Sequence, residues 1–319
     1  RWVANYFKDY LKNKRLIITS QLTFDITFGD IAFALQSNSP ICLCNNTKNI
    51  FQISYLIEKY NINVIYSVPT ILNKLYFLEK TRKTNSLNKI KLIKSGGEPF
   101  NVATFNLMKK ISKKAAIFNV YGPTEVTINC SAFNLNLHQN IIDKYNQIPI
   151  GKIFAHLSYK LLNENNETSA LYVSGKQVMK GYIKSKSNSH FKIIKKNKYY
   201  NTGDLVEEKD GQLFLLGRTN NLIKFKGIRF NPIVIDNVLL KFDFIDEVKS
   251  LIVKKNNEEK ILIFYKSNNF NKKEVLKKIY KFIPNSIKPL IFVKMKILPL
   301  NNSGKYDIVR ILKFYDKNK

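Results

Sequence analysis

Apolar positions in the first part of the chain follow two alternating rhythms. Short unbroken apolar runs at 15–19 (RLIIT), 40–44 (PICLC), 63–67 (NVIYS), 90–94 (IKLIK) and 116–119 predict strands. Between them, apolar residues three or four apart predict helices over 2–13, 28–37, 51–60, 70–79 and 101–113. This alternation predicts an α/β fold with a parallel sheet. From 149 to 218 the pattern changes to short β runs separated by turn signals such as Asp210-Gly211, which predicts a β-rich subdomain. After Gly217-Arg218 the pattern restarts, with strand 221–225, helix 233–241, strands 247–254 and 260–266, helix 272–282 and strand 290–296. A turn at 301–304 and a last helix near 306–315 follow. The expectation is a large N-terminal core, residues 1–218, and a small C-terminal α+β lid domain, residues 219–319.

Composition narrows the function. The 319 residues, 45% hydrophobic, can bury a core and exclude wholesale disorder. No apolar run approaches the roughly 18–20 residues of a membrane-spanning helix, so no membrane association is expected. No signal peptide is visible, and the first residue is Arg1, so the chain reads as a piece of a longer protein. The net charge of +30, from 53 Lys+Arg against 23 Asp+Glu, would suit nucleic acid. Yet only six of the basic residues are Arg, the lysines are scattered, and Asn numbers 38. That pattern reads as compositional bias, with no specific nucleic-acid partner. Cys42, Cys44 and Cys130 have no metal-ligand spacing and read as free thiols in a reducing cytoplasm. His138, His156 and His190 are too far apart in sequence to suggest a cluster.

Glycine is scarce, 12 in 319 residues, so its compact runs are informative. NVYGPTE (119–125) follows an apolar strand, and the end of a parallel strand is where ligands bind. Tyr121 offers a ring for stacking, and Thr124 and Glu125 offer hard oxygens suited to Mg²⁺. Taken alone, the run also reads as a structural turn with a solvated Glu. TGD (202–204) places a carboxylate after a turn glycine, fit for a vicinal diol or for an ordinary turn. Lys305 in SGKYD, by itself, is one surface lysine among many.

Order and spacing change these odds. The runs LTFDITFGDIAFAL, VIYSVPTIL, LIKSGGEPF, IFNVYGPTEVT, IPIGK, LYVSGKQVMKGY, YYNTGDL, DGQLFLLGRTNNLIKFKGIRF and LPLNNSGKYD occur in that sequence. Together they resemble the adenylate-forming (AMP-binding) superfamily. Within it they resemble the amino-acid adenylation domains of nonribosomal peptide synthetases and D-alanine–carrier-protein ligases. The resemblance implies ATP-dependent conversion of an amino acid to an aminoacyl-adenylate, with Mg²⁺. The acyl group then passes to the phosphopantetheine thiol of a separate carrier protein. It implies that Tyr121 stacks on adenine, with Asn119, Gly122 and the Gly96-Gly97 backbone nearby. Asp204 would bind the ribose and Arg218 would lie beside it. Thr124 and Glu125 would hold phosphate and metal, and Lys305 would reach in from the lid to the carboxylate and α-phosphate. Asp25 would pair with the substrate's ammonium; read alone, it is a helix N-cap. Ile26, Gly29, Ser67, Ile93, Ser95, Val120, Ile128 and Asn129 would line the side-chain pocket, suiting a small or medium uncharged amino acid.

The chain departs from the family pattern in four places. The phosphate loop expected several tens of residues before Asp25 is not in this sequence. Asn220 stands where the hinge usually carries Asp. Residues 231–236 replace an acidic run, and Ser169-Ala170-Leu171 replaces an acidic-leucine turn. No carrier domain follows Lys305, so a stand-alone enzyme is expected. An acyl- or aryl-CoA ligase and an inactive diverged homologue are the alternatives.

Overall fold

The computed structural model describes residues 6–7, 10, 14–46, 49–165, 168–183, 190–218, 223–225, 228–230, 232–255, 258–283 and 289–317. The predicted alternation is realised as β1 (Leu16–Ile18), α1 (Asp25–Ser37), β2 (Ile41–Leu43), α2 (Ile50–Lys59), β3 (Val64–Ser67), α3 (Pro69–Arg82), β4 (Leu92–Ser95), α4 (Val102–Ile111) and β5 (Ala116–Tyr121). Local chemistry sets the helix ends. The side chains of Asn49 and Asn101 accept from the backbone amides of Gln52 and Thr104 at 3.1 and 2.7 Å, capping α2 and α4. Pro69 opens α3, where a missing N–H costs nothing. Helix α1 starts at Asp25, three residues before the predicted 28. Phe24 is its N-cap residue, so Asp25 is not the cap.

These strands form a sheet in the order β2-β1-β3-β4-β5, all parallel. The chain steps one way from β1 to β2 and the other way from β2 through β3 to β5. Right-handed crossovers therefore place α1 on one face and α2, α3 and α4 on the other. The cores agree. Phe33 and Ala34 of α1 pack with Leu16, Val64, Leu92 and Phe118. Ile53, Leu72 and Phe105 pack with Ile17, Ile65, Ile93 and Ile117. Burial on both faces explains why these strands read as continuous apolar runs. The sheet continues through the antiparallel β6 (Ser131–Asn134) and β7 (Lys152–Ile153); β7 comes from the stretch expected to be β-rich, whereas β6 and α5 (Gln139–Tyr145) are not among the predicted elements. Most of the helix predicted over 2–13 lies outside the described residues. Phe7 from that stretch is buried edge-on to Phe118, with ring centroids 5.0 Å apart.

The β-rich stretch forms an antiparallel sheet of β8 (Ser158–Asn165), β9 (Thr168–Ser174), β10 (Phe191–Ile194), β11 (Asn197–Lys209) and β12 (Gln212–Arg218). Its order is β10-β11-β9-β8, with β12 also pairing with β11. Asp210 and Gly211, at φ of 50° and 65°, make the predicted hairpin turn between β11 and β12. A third group follows: β13 (Ile223–Phe225), β14 (Ile228–Phe230), α6 (Ile233–Leu239), β15 (Ile245–Lys255), β16 (Glu258–Ser267), α7 (Lys272–Ile279), β17 (Leu290–Lys294) and α8 (Ile308–Lys317). Strands β15, β16 and β17 form a sheet with its own cores, Ile235, Leu239, Ile263 and Val275 on one side and Phe264, Leu298 and Ile311 on the other. Asn220, Lys226, Gly227 and Asn231 lie outside the described residues.

Candidate functional site

Because α1 and α3 leave β1 and β3 toward opposite faces, the carboxyl ends of these strands form a switch point, the place where open α/β sheets bind ligands. Two loops frame it: Gly96-Gly97-Glu98 after β4 and Gly122-Pro123-Thr124-Glu125 after β5. A Cβ on Gly96 would collide with the Val120 carbonyl and lie 3.2 Å from the Tyr66 hydroxyl. Only glycine lets these strand ends meet so closely.

The β-rich sheet contributes a charged tie. Its β11–β9 register shifts between Asn201 and Leu205, so Thr202-Gly203-Asp204 sits in an irregularity that re-aims the carboxylate. Asp204 is buried and lies directly across the ladder from Arg218. Tyr121 Oη donates to Asp204 Oδ2 at 2.6 Å, and Arg218 Nε donates to Oδ1 at 3.0 Å. Burial first, and then the Asp204 charge, push the Tyr121 hydroxyl well above its usual pKa, so it stays a donor. Asn119 is buried and donates from Nδ2 to the Pro149 carbonyl at 2.8 Å, joining β5 to the segment before β7. Thr124 is exposed. Glu125 is half-buried, and its Oε1 accepts from Tyr182 at 2.8 Å.

The residues predicted to line the pocket divide into two sets. Gly29 meets Ile128, Asn129 Oδ1 accepts from Tyr66 Oη at 2.9 Å, and Val120 lies against Gly96. Ile26 packs on the same core, and Asp25 sits in the first turn of α1, its Oδ1 accepting from the Ile26 amide at 2.9 Å. Burial first, and then the charges of Asp30 and Asp25, hold the Tyr66 hydroxyl above its usual pKa. Ser67, Ile93 and Ser95 do not join this wall. Ile93 packs with the α2–α4 side, and Ser67 and Ser95 share a ladder position one residue beyond Tyr66 and Lys94. A one-residue offset in a strand exchanges its faces. The residues on the wall's side of β3 and β4 are therefore Tyr66, Lys94 and Gly96.

Sequence reasoning missed Lys94 and Asp30. Lys94 Nζ is 2.8 Å from Asp30 Oδ1, both fully buried, and 4.3 Å from the Phe33 ring centroid. Burial raises the Asp30 pKa against the opposing pull of Lys94. Asp30 Oδ2 and Asn129 Nδ2 have no hydrogen-bond partner among the described residues. The available signal was a lysine inside a strand whose parallel neighbours imply two buried faces, since buried lysines are almost always paired.

Lys305 arrives from the C-terminal group. Asn301 Oδ1 accepts from the Ser303 and Lys305 amides at 2.9 and 3.1 Å, fixing the loop. Gly304, at φ +77°, lies against Ile71 and Val68 at the start of α3. A Cβ on Gly97 would be 3.8 Å from Lys305 Nζ. Tyr66, at Gly96, and Lys305, at Gly97, thus approach one two-glycine loop.

The model of the AMP-binding enzyme family matches residues 2–183. The chain belongs to this family of AMP-binding enzymes. The resemblance read from the motifs is met by its relatives. Surfactin synthase subunit 2 of Bacillus subtilis is 25% identical over 93% of this chain and 9% of its own length. A D-alanine–D-alanyl carrier protein ligase of Bacillus licheniformis is 24% identical over 97% of this chain. The chain spans 64% of that ligase's length. A four-domain nonribosomal peptide synthetase bound to AMP and glycine shares the fold, with a TM-score of 0.78 and 21% identity over 96% of this chain and 23% of that one. An anthranilate CoA ligase also scores 0.78, at 15% identity, over 99% of this chain and 62% of that one.

The AMP-binding enzyme's donor set suits nucleotide and Mg²⁺. Among the described residues no group of three or more His, Cys, Asp or Glu side chains could form a metal cage. Mg²⁺ held by one carboxylate, phosphate oxygens and water needs no cage, and Glu125 beside exposed Thr124 can supply that carboxylate. Among the described residues, no helix is long and apolar enough to cross a membrane.

Proposed function

We propose that this chain is part of an ATP-dependent ligase that converts an amino acid to an aminoacyl-adenylate. The acyl group then passes to the phosphopantetheine thiol of a separate carrier protein. The observation that carries this reading is the approach of Lys305, from the C-terminal group, to Gly97 in the loop after β4. Asp25 is half-buried, with no ion-pair partner among the described residues, and a substrate ammonium would provide one. The names of the peptide synthetases and of the carrier protein ligase support an amino-acid substrate and a carrier partner.

The chemistry is the joining of two anions, a carboxylate and the α-phosphate of ATP. Such a step needs local positive charge and alignment more than acid–base work. Lys305 supplies the charge from a lid that excludes water when seated. In this reading Tyr121 packs on adenine, Asp204 accepts from the ribose hydroxyls, and Arg218 holds Asp204 in place. Thr124 and Glu125 hold phosphate and Mg²⁺, which would neutralise charge at the phosphates. The core spans residues 1–218 and the lid 219–319. The free Cys42, Cys44 and Cys130 suit a reducing cytoplasm.

The test is amino-acid-dependent exchange of pyrophosphate into ATP by the full-length protein that carries this chain. Exchange with one amino acid, lost in Asp25→Ala, is expected. No exchange with any of the twenty amino acids or D-alanine overturns the reading. Activation of an aromatic or fatty acid, with Asp25 dispensable, would make the protein an acyl- or aryl-CoA ligase instead.

A further inference from the structure

Lys74 lies one helical turn beyond Thr70 on α3, on the side against which the Lys305 loop packs. Its Nζ forms an ion pair with Glu247 Oε2 of β15. It also lies 3.5 Å from the Leu298 carbonyl and 5.9 Å from the centroid of the Tyr306 ring. One core side chain thus touches three separate segments of the C-terminal group, the last of them next to Lys305. The pair is largely shielded, with side-chain exposures of 13% and 7%, so water and salt screen it weakly. Around it lies a layer of charge. Thr70 donates to Glu98 through its amide and hydroxyl, at 3.2 and 2.7 Å. Lys249 is 3.5 Å from Asp236, and Lys266 is 3.9 Å from Glu247.

We propose that Lys74 and Glu247 are positioning residues that seat the lid so that Lys305 reaches the Gly97 loop. The inference rests on the adenylating function proposed above and adds the means by which the lysine is brought home. The pair joins side chains 173 positions apart, so it exists only while lid and core are docked in this arrangement. It therefore favours the adenylate-forming geometry over any other lid position. Among the residues proposed to hold the amino acid, Gly29 meets Ile128, Tyr66 donates to Asn129, and Asp25 accepts from the Ile26 amide. Neither Lys74 nor Glu247 is among these contacts, so affinity for the amino acid should not depend on the pair.

The experiment uses the full-length protein with Lys74→Met, Glu247→Gln, the double variant and Lys74→Arg. Two readouts are taken: pyrophosphate exchange, and hydrogen–deuterium exchange of the loop amides 301–305. Each single variant should lower kcat for adenylate formation on the order of 10-fold, with KM for the amino acid unchanged and faster amide exchange in the loop. The double variant should lose no more than either single, because the two act as one unit. Lys74→Arg, which keeps the charge, should restore both readouts. Unchanged loop exchange in Lys74→Met, additive losses in the double variant, or failure of Lys74→Arg to rescue would each overturn the proposal. The amide readout does not need turnover. If wild-type protein activates no amino acid, the function fails while the seating of the lid is still tested.

Discussion

The Tyr121 hydroxyl donates to Asp204 at 2.6 Å across 83 residues of sequence, tying the end of the parallel sheet to a bulged strand of the antiparallel one. Asp204 is thereby an acceptor for two donors from different elements, Tyr121 on β5 and Arg218 on β12. The same carboxylate is the group proposed to receive the ribose hydroxyls. Its orientation is set before any nucleotide arrives, which lowers the ordering cost of binding.

Asp204→Asn should weaken AMP binding at least tenfold. The amide replaces one acceptor oxygen by a donor, and hydrogen bonds to a charged group are worth about 1.5–3 kcal/mol. Tyr121→Phe, which keeps the ring and leaves Arg218 on the carboxylate, should cost less. Titration calorimetry with AMP decides this, and an unchanged Kd for Asp204→Asn would remove Asp204 from the nucleotide site.

Lys94→Ala should destabilise the protein by about 3–5 kcal/mol, because it leaves Asp30 buried and unpaired. Replacing both at once, Lys94→Met with Asp30→Leu, should recover most of that loss, since apolar groups of similar volume fill the space without a desolvation cost. Urea unfolding of wild type, Lys94→Ala and the double variant gives the comparison. A double variant as unstable as Lys94→Ala would mean that the lysine acts through packing on Phe33 and Tyr66 and not through charge.

Much of the α/β core was legible because both faces of the parallel sheet are apolar, so β1, β3 and β4 stand out as runs. β6 was missed because SAFN is short and alternates weakly, and its pairing depends on β5 rather than on its own pattern. Runs carrying glycine marked the Gly96 loop, Tyr121, Asp204 and Lys305, since close backbone approach leaves a local trace. Which residues of β3 and β4 face α1 was not legible. That depends on register within the sheet, and a one-residue offset interchanges Ser67, Ile93 and Ser95 with Tyr66, Lys94 and Gly96. Partners such as Lys74 and Glu247 leave no sequence trace, because only docking of lid and core brings them together.

Gly96→Ala should damage nucleotide binding and folding together. A methyl group there collides with the backbone carbonyl of Val120, which cannot rotate away as a side-chain tip would, and it reaches the Tyr66 hydroxyl that holds Asn129. The strands β4 and β5 would have to part at their carboxyl ends. The expected result is a lowered Tm with loss of AMP binding. Normal affinity in a folded variant would show that the loop can shift without cost.

Glu98→Gln should change stability in a pH-dependent way whose sign follows from burial. Burial pushes the Glu98 carboxyl up, while the Thr70 hydrogen bonds and the charges of Lys305 and Lys249 pull it part of the way back. The folded protein therefore binds this proton more tightly than the unfolded chain, where the ordinary glutamate value of about 4.3 applies. Stability from this group is greatest below that value and is lost as pH rises through the higher folded one. Glutamine can still accept from Thr70 but does not titrate. The Tm of Glu98→Gln minus that of wild type should become more positive from about pH 4 toward neutrality. Asp30 and Asp236, whose carboxyls burial also raises, are present in both proteins and cancel in the difference. A difference that moves the other way would mean that Lys305 and Lys249 outweigh burial and hold Glu98 charged.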